Sequence, residues 1–142
     1  MAEYHTTFAV DAPPDEVVAY VADLRNLTQW DSSVRGATLK SDTGPAVGRS
    51  FDVVVGFYGR ELDAVYEIVD FDCHHAVEWT IEGKASGTTR IQVTPNGDGS
   101  MIDYRLDLSM KGLARLLDRG LNVALEGIGE NAEKGLQRQF RR

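Results

Sequence analysis

The chain has 142 residues, 42% of them hydrophobic and 26% charged, which is the balance of a globular protein and the length of one ordinary domain spanning residues 1–142. Its 22 acidic residues against 15 basic ones leave a formal charge of −7, so partners held by phosphate neutralisation, nucleic acid and anionic membrane surfaces among them, are not expected. The lone Cys73 excludes an internal disulfide, and no apolar run approaches the roughly 18 residues of a membrane span, so no stable membrane insertion is expected.

In chain order, the opening MAEYHTTFAV lacks a basic stretch followed by an apolar run, which makes a cytoplasmic location the expectation. Tyr4 to Val10 reads as a short strand. Pro13-Pro14-Asp15-Glu16 then starts a helix, because proline suits a first turn whose N–H groups lack partners and acids favour the positive end of the dipole. That helix carries Val17, Tyr20, Val21 and Leu24 on one face, and a second helical piece, Leu24 to Trp30, ends before Asp31-Ser32-Ser33.

From Val34 the period changes to two. Strands are predicted near Val34 to Lys40, Ser50 to Val55, Tyr58 to Val69, Cys73 to Glu82, Thr88 to Thr94 and Met101 to Met110. Asn96-Gly97-Asp98-Gly99 is the strongest hairpin signal. Short turns between successive strands imply an antiparallel meander, since parallel pairs need long crossovers.

Parity sorts these strands into two faces. One takes Phe51, Val53, Val55, Leu62, Ala64, Tyr66, Ile68, Val77, Trp79, Ile81, Ile91, Val93, Ile102, Tyr104, Leu106 and Leu108. The other takes Asp52, Glu61, Asp63, Glu67, His74, Glu78, Thr80, Glu82, Arg90, Gln92, Asp103, Arg105 and Asp107, a solvated surface whose runner-up use is a homodimer contact.

The stretch Lys111 to Phe140 reads as one long helix despite Gly112, Gly120, Gly127, Gly129 and Gly135, each of which costs a helix roughly 1 kcal/mol relative to alanine. Leu113, Leu117, Leu121, Ala124, Ile128 and Ala132 form an apolar stripe that the inner sheet face would cover. Gly120 and Ala124 on that arc would border any space left beneath the helix. The basic residues Arg138, Arg141 and Arg142 suit the helix C-terminus.

The order strand, two short helices, six-strand meander and long C-terminal helix resembles the helix-grip fold: an α+β architecture in which a seven-stranded curved antiparallel sheet wraps a long C-terminal helix. Val10-Asp11-Ala12-Pro13, Glu16-Val17-Val18 and Trp30 resemble the opening of the START-like (SRPBCC) polyketide cyclase/dehydrase and lipid-transport families. Gly48-Arg49-Ser50-Phe51, Gly59-Arg60-Glu61-Leu62 and Gly99-Ser100-Met101-Ile102-Asp103-Tyr104 add to the resemblance. It implies a cavity for a hydrophobic small molecule between sheet and helix; only some members of the superfamily are enzymes.

On this reading the candidate ligand-binding residues are Phe51, Val53, Arg60, Leu62, Tyr66, His75, Val77, Trp79, Thr89, Ile91, Tyr104, Leu106, Leu117, Gly120 and Ala124. An apolar wall with a few polar groups suits a small molecule, since burial supplies affinity and sparse hydrogen bonds fix orientation. Tyr66, Trp79 and Tyr104 serve equally well as plain core packing. A guanidinium at Arg60 must be paired if buried, and simply reaches solvent if it sits at a strand end. His75 is either a proton relay or an edge residue.

Neighbouring His74 and His75 point to opposite faces of a strand and cannot share an ion, so no metal is expected. Gly127-Ile128-Gly129-Glu130-Asn131-Ala132 mimics a dinucleotide fingerprint but follows no strand, and no other motif asks for a cofactor. There is no Gly-x-Ser-x-Gly elbow.

Three functions follow. The first is binding of a hydrophobic or amphipathic small molecule, such as a lipid, quinone, polyketide or isoprenoid. The second is a polyketide cyclase or dehydratase, with Arg60 or His75 polarising a carbonyl and Tyr66 or Tyr104 donating a proton. The third is a protein-interaction module without ligand, which a sheet-to-helix space below roughly 300 Å³ would favour.

Overall fold

The computed structural model describes residues 2–41, 46–57, 59–110 and 118–140. Strand β1 (Ala2–Val10) leads into helix α1 (Pro14–Ala22), a 3-10 turn (Leu24–Asn26) and helix α2 (Leu27–Trp30). The meander follows as β2 (Val34–Ser41), β3 (Ser50–Phe57), β4 (Arg60–Asp72), β5 (Ala76–Gly83), β6 (Ala85–Asn96) and β7 (Gly99–Met110), and helix α3 (Asp118–Gln139) ends the chain. The seven strands form one antiparallel sheet in the order β1-β7-β6-β5-β4-β3-β2, so the first strand closes against the last and the meander runs outward from there.

Local chemistry explains these elements. Pro13 and Pro14 open α1, Asp15 and Glu16 occupy its first turn, and Val17, Val18 and Val21 are fully buried beneath it. Tyr20, expected on the buried face, lies half-buried and donates its hydroxyl proton to Gln29 Oε1 at 2.8 Å. In the β6–β7 hairpin, Gly97 takes φ +61° between the paired residues Asn96 and Gly99, a left-handed conformation that glycine adopts without a Cβ penalty.

The two strand faces separate as parity predicts. Phe51, Val53, Ile68, Val77, Trp79, Ile91, Val93 and Ile102 are all 2% exposed or less, while Asp52, Glu61, Asp63, Glu67, Glu82, Gln92 and Arg105 are exposed on the opposite face. There, Arg90 donates to Asp70 at 2.9 Å and to Glu78 at 3.3 Å. A register shift between Ile68 and Asp70 carries β4 past the expected end at Val69 and returns Phe71 to the core side.

Strand β5 begins later than expected. Residues 72–75 form a turn closed by the His75 amide donating to the Asp72 carbonyl at 3.1 Å, with the His74 amide donating to the Asp72 carboxylate at 3.0 Å. His75 is therefore a turn residue exposed to solvent, and strand parity does not apply to it.

The expected helix start at Lys111, with Leu113 and Leu117, lies outside the described residues, as do the side chains of Leu121 and Ala124 and the surroundings of Gly120. Over the rest of α3, Leu125, Ala132 and Leu136 are fully buried and Ile128 is half-buried, so the contact line lies to one side of the stripe drawn through Ile128. The cause is close approach at two glycines. A Cβ at Gly129 would collide with the Tyr4 ring on β1, and one at Gly135 would collide with the Trp30 carbonyl at the end of α2. The two glycines let α3 seat directly on β1 and α2. No helix among the described residues is long and apolar enough to cross a membrane.

Candidate functional site

The sheet, the α2–β2 connection and α3 enclose a cavity of about 60 Å³, set in a recess of about 700 Å³ when its open mouth is counted. Tyr66 of β4 and Trp79 of β5 form one wall, their rings stacked with centroids 6.4 Å apart and planes 20° from parallel. Tyr104 of β7 forms the opposite polar point, edge-on to Trp30 at 6.5 Å and to Tyr4 at 6.4 Å. Thr89 pairs in register with both Trp79 and Leu106, so three neighbouring strands bring these side chains to one height on the wall. Leu62, Ile81 and, from the helix, Ile128 supply apolar surface; Asp63 and Lys84 are exposed at the rim.

The polar residue that sequence reasoning missed is Asp31. It closes α2, its amide donating to the Leu27 carbonyl at 2.8 Å, and is only 8% exposed. Its Oδ1 accepts from the Ser33 amide at 3.0 Å and from the Ser33 hydroxyl at 2.6 Å, an Asx turn that fixes the carboxyl against the cavity. The Ser33 carbonyl accepts from the Gly56 amide at 2.7 Å, which ties the turn to β3. The sequence does carry the signal: an aspartate two residues before a serine, directly after a core tryptophan. It also reads as an ordinary helix stop.

Burial raises the Asp31 pKa, outweighing the Ser33 hydrogen bonds that hold it down. The Tyr66 hydroxyl is pushed up by burial first and then by the nearby Asp31, and Tyr104 is raised well above its ordinary value by the same two causes. Both phenols are therefore neutral donors at physiological pH. The indole N–H groups of Trp79, in the wall, and Trp30, just before Asp31, are buried with no hydrogen-bond partner among the described residues. Unpartnered buried donors are uncommon in folded proteins. Here one belongs to the cavity wall and the other to the residue before the buried carboxyl.

The structure thus brings together Leu62, Tyr66, Trp79, Thr89, Tyr104 and Leu106 of the expected set. Phe51, Val53, Val77 and Ile91 share that face but belong to the packed core away from the cavity wall. Arg60 and His75 are corrected. Arg60 is exposed at the start of β4 and His75 in its turn, and neither lines the cavity, because a strand end and a tight turn both direct long side chains to water. Leu117 lies outside the described residues, and so do the surroundings of Gly120 and the side chain of Ala124.

Among the described residues no group of three or more His, Cys, Asp or Glu is placed to hold a metal ion. The phrase Gly127 to Ala132 is interior to α3 and presents no helix N-terminus to a phosphate. Chemically, the cavity offers an apolar space with one buried carboxyl, two phenols, a threonine hydroxyl and an indole N–H, a set that can hold an oxygen of a small molecule and exchange a proton with it.

Comparison with known proteins agrees with this architecture. A family model described as polyketide cyclase / dehydrase and lipid transport matches residues 1–141. No curated protein sequence matches the chain. A solved structure from Thermus thermophilus superposes with a TM-score of 0.84 at 18% identity, covering 97% of this chain and 96% of the other. A START superfamily protein from Mycobacterium smegmatis gives 0.77 at 14% identity, covering 98% and 99%. The Zhui aromatase/cyclase from Streptomyces gives 0.78 at 12% identity, covering 96% and 92%. At these identities the likeness concerns the fold.

Proposed function

The chain belongs to the polyketide cyclase/dehydrase and lipid transport family, and on that premise we propose that it binds a hydrophobic or amphipathic small molecule between sheet and α3. The observation that carries this reading is the wall itself: stacked Tyr66 and Trp79 with Leu62, Leu106 and Ile128 around a few polar atoms, open to solvent at one side. The enclosed 60 Å³ is well below the roughly 300 Å³ of a drug-sized site, so loading requires wall side chains to move outward into the recess. Native mass spectrometry of the purified chain and titration with the uncharged probe N-phenyl-1-naphthylamine test it. A co-purified apolar molecule or saturable one-to-one probe binding supports the reading, and neither being found removes it.

The small enclosed volume is also the observation that favours a second reading, an interaction module whose cavity is merely incompletely filled core. Unsaturable probe binding together with self-association of the charged sheet face, measured by analytical ultracentrifugation, supports that alternative.

A cyclase or dehydratase reading draws on the family and on the fold shared with the Zhui aromatase/cyclase. In this chain its proton donors would be Tyr66 and Tyr104, with Asp31 in place of the exposed Arg60 and His75. Turnover of a poly-ketone substrate that survives single replacement of each of these three residues sinks it.

A further inference from the structure

We infer that the cavity selects ligands that present a hydroxyl to Asp31, or a ketone to the neighbouring phenol and indole donors, and rejects ligands that present a carboxylate. The inference rests on the ligand-binding reading above and specifies the chemistry of its inner end. Four observations carry it. Asp31 lines the cavity, is 8% exposed, and receives the Ser33 amide and hydroxyl hydrogen bonds on Oδ1, which leaves Oδ2 available to a ligand. The Tyr66 and Tyr104 side chains, both buried, line the same cavity as this carboxyl. The Trp79 indole N–H, on a side chain 1% exposed in the same wall, has no partner among the described residues. Finally, no arginine or histidine lines the cavity among the described residues, and its lysine, Lys84, is exposed at the rim beside Asp63.

An uncharged hydroxyl satisfies such a site from both sides: its proton goes to Asp31 Oδ2 and its lone pairs accept from a phenol or from the indole N–H. A ketone accepts from the same donors. A carboxylate instead brings a second acidic group against Asp31 in an apolar space, where the described lining residues place no cation at that depth to offset the desolvation of either. Fatty acids and other apolar acids are thereby disfavoured, whereas phenols, long-chain alcohols and polycyclic ketones fit.

The test compares three matched probes near neutral pH, followed by calorimetry and by the tryptophan fluorescence that Trp79 contributes: naphthalene, 2-naphthol and 2-naphthoate. The expected result is binding of 2-naphthol at least about tenfold tighter than 2-naphthoate, with the gap closing to about threefold or less in Asp31→Asn, which keeps an oxygen for Ser33 but cannot carry charge. Equal affinity of 2-naphthol and 2-naphthoate in the wild type overturns the selectivity while leaving apolar binding intact. An unchanged gap in a folded Asp31→Asn protein overturns the role of Asp31. Should that variant fail to fold, the wild-type comparison still decides selectivity, and Tyr66→Phe, expected to weaken 2-naphthol more than naphthalene, decides whether the polar cluster is its source. If none of the three probes nor N-phenyl-1-naphthylamine binds, the ligand-binding reading itself is what fails.

Discussion

Gly135 of α3 sits directly against the backbone carbonyl of Trp30, at a separation that leaves no room for a Cβ. This contact brings a glycine that looks like a defect in a helix sequence against the residue immediately before the buried Asp31. Gly129 does the same against the Tyr4 ring, and Tyr4 in turn packs edge-on against Tyr104 of the cavity wall.

The helix glycines should therefore differ in sign. Gly135→Ala must displace backbone and is expected to destabilise by about 1–3 kcal/mol. Gly129→Ala needs only the half-buried Tyr4 ring to swing and should cost less. Gly127, exposed and with nothing within 4 Å of where a Cβ would stand, should gain up to about 1 kcal/mol on change to alanine. Thermal melts of the three variants check the ranking; equal effects would mean the close approaches are not rigid.

Asp31 should leave a signature in the pH dependence of stability. Its folded pKa is raised by burial, so between the unfolded value near 3.9 and the folded value the native state holds more protons than the unfolded chain, and stability falls as pH rises through that window. The contribution is most favourable below the window and lost above it. Asp31→Asn removes the titration, so the melting temperature of wild type relative to this variant should decline as pH is raised from acid toward neutral. A difference that is constant or grows with pH would show that the carboxyl is not held in an unfavourable environment.

Leu62 is half-buried in the cavity wall near the mouth. Leu62→Trp should fill the recess and weaken N-phenyl-1-naphthylamine binding by at least about tenfold, while the half-exposed position keeps the stability change below about 1.5 kcal/mol. Titration with the probe and a melt of the same sample check both halves; unchanged affinity would place the probe elsewhere.

The architecture was legible because period-2 alternation from Phe51 to Leu108 is strong and its turns carry clear chemistry, as at Asn96-Gly97. The strand part of the wall, from Leu62 and Tyr66 to Tyr104 and Leu106, lies on the face that parity assigns inward. The rest depended on facts that alternation does not encode. His75 shares the parity of Trp79 on paper, but the Asp72 turn takes it out of the strand. Asp31 lies in a connection with no period, next to Trp30, whose carbonyl meets Gly135 from more than a hundred positions away. Gly135, one interruption among several in the helix sequence, marks a close approach of backbone to backbone, at the Trp30 carbonyl.

The most direct test of the account is to locate a bound apolar molecule by isotope-filtered nuclear Overhauser measurements on the labelled chain saturated with 2-naphthol. The account predicts contacts from the naphthol ring to the ring protons of Tyr66 and Trp79 and to the Ile128 methyl groups, with no contacts to outer-face residues such as Glu67 or Arg105. Contacts confined to the outer sheet face, or none at saturation, would contradict it.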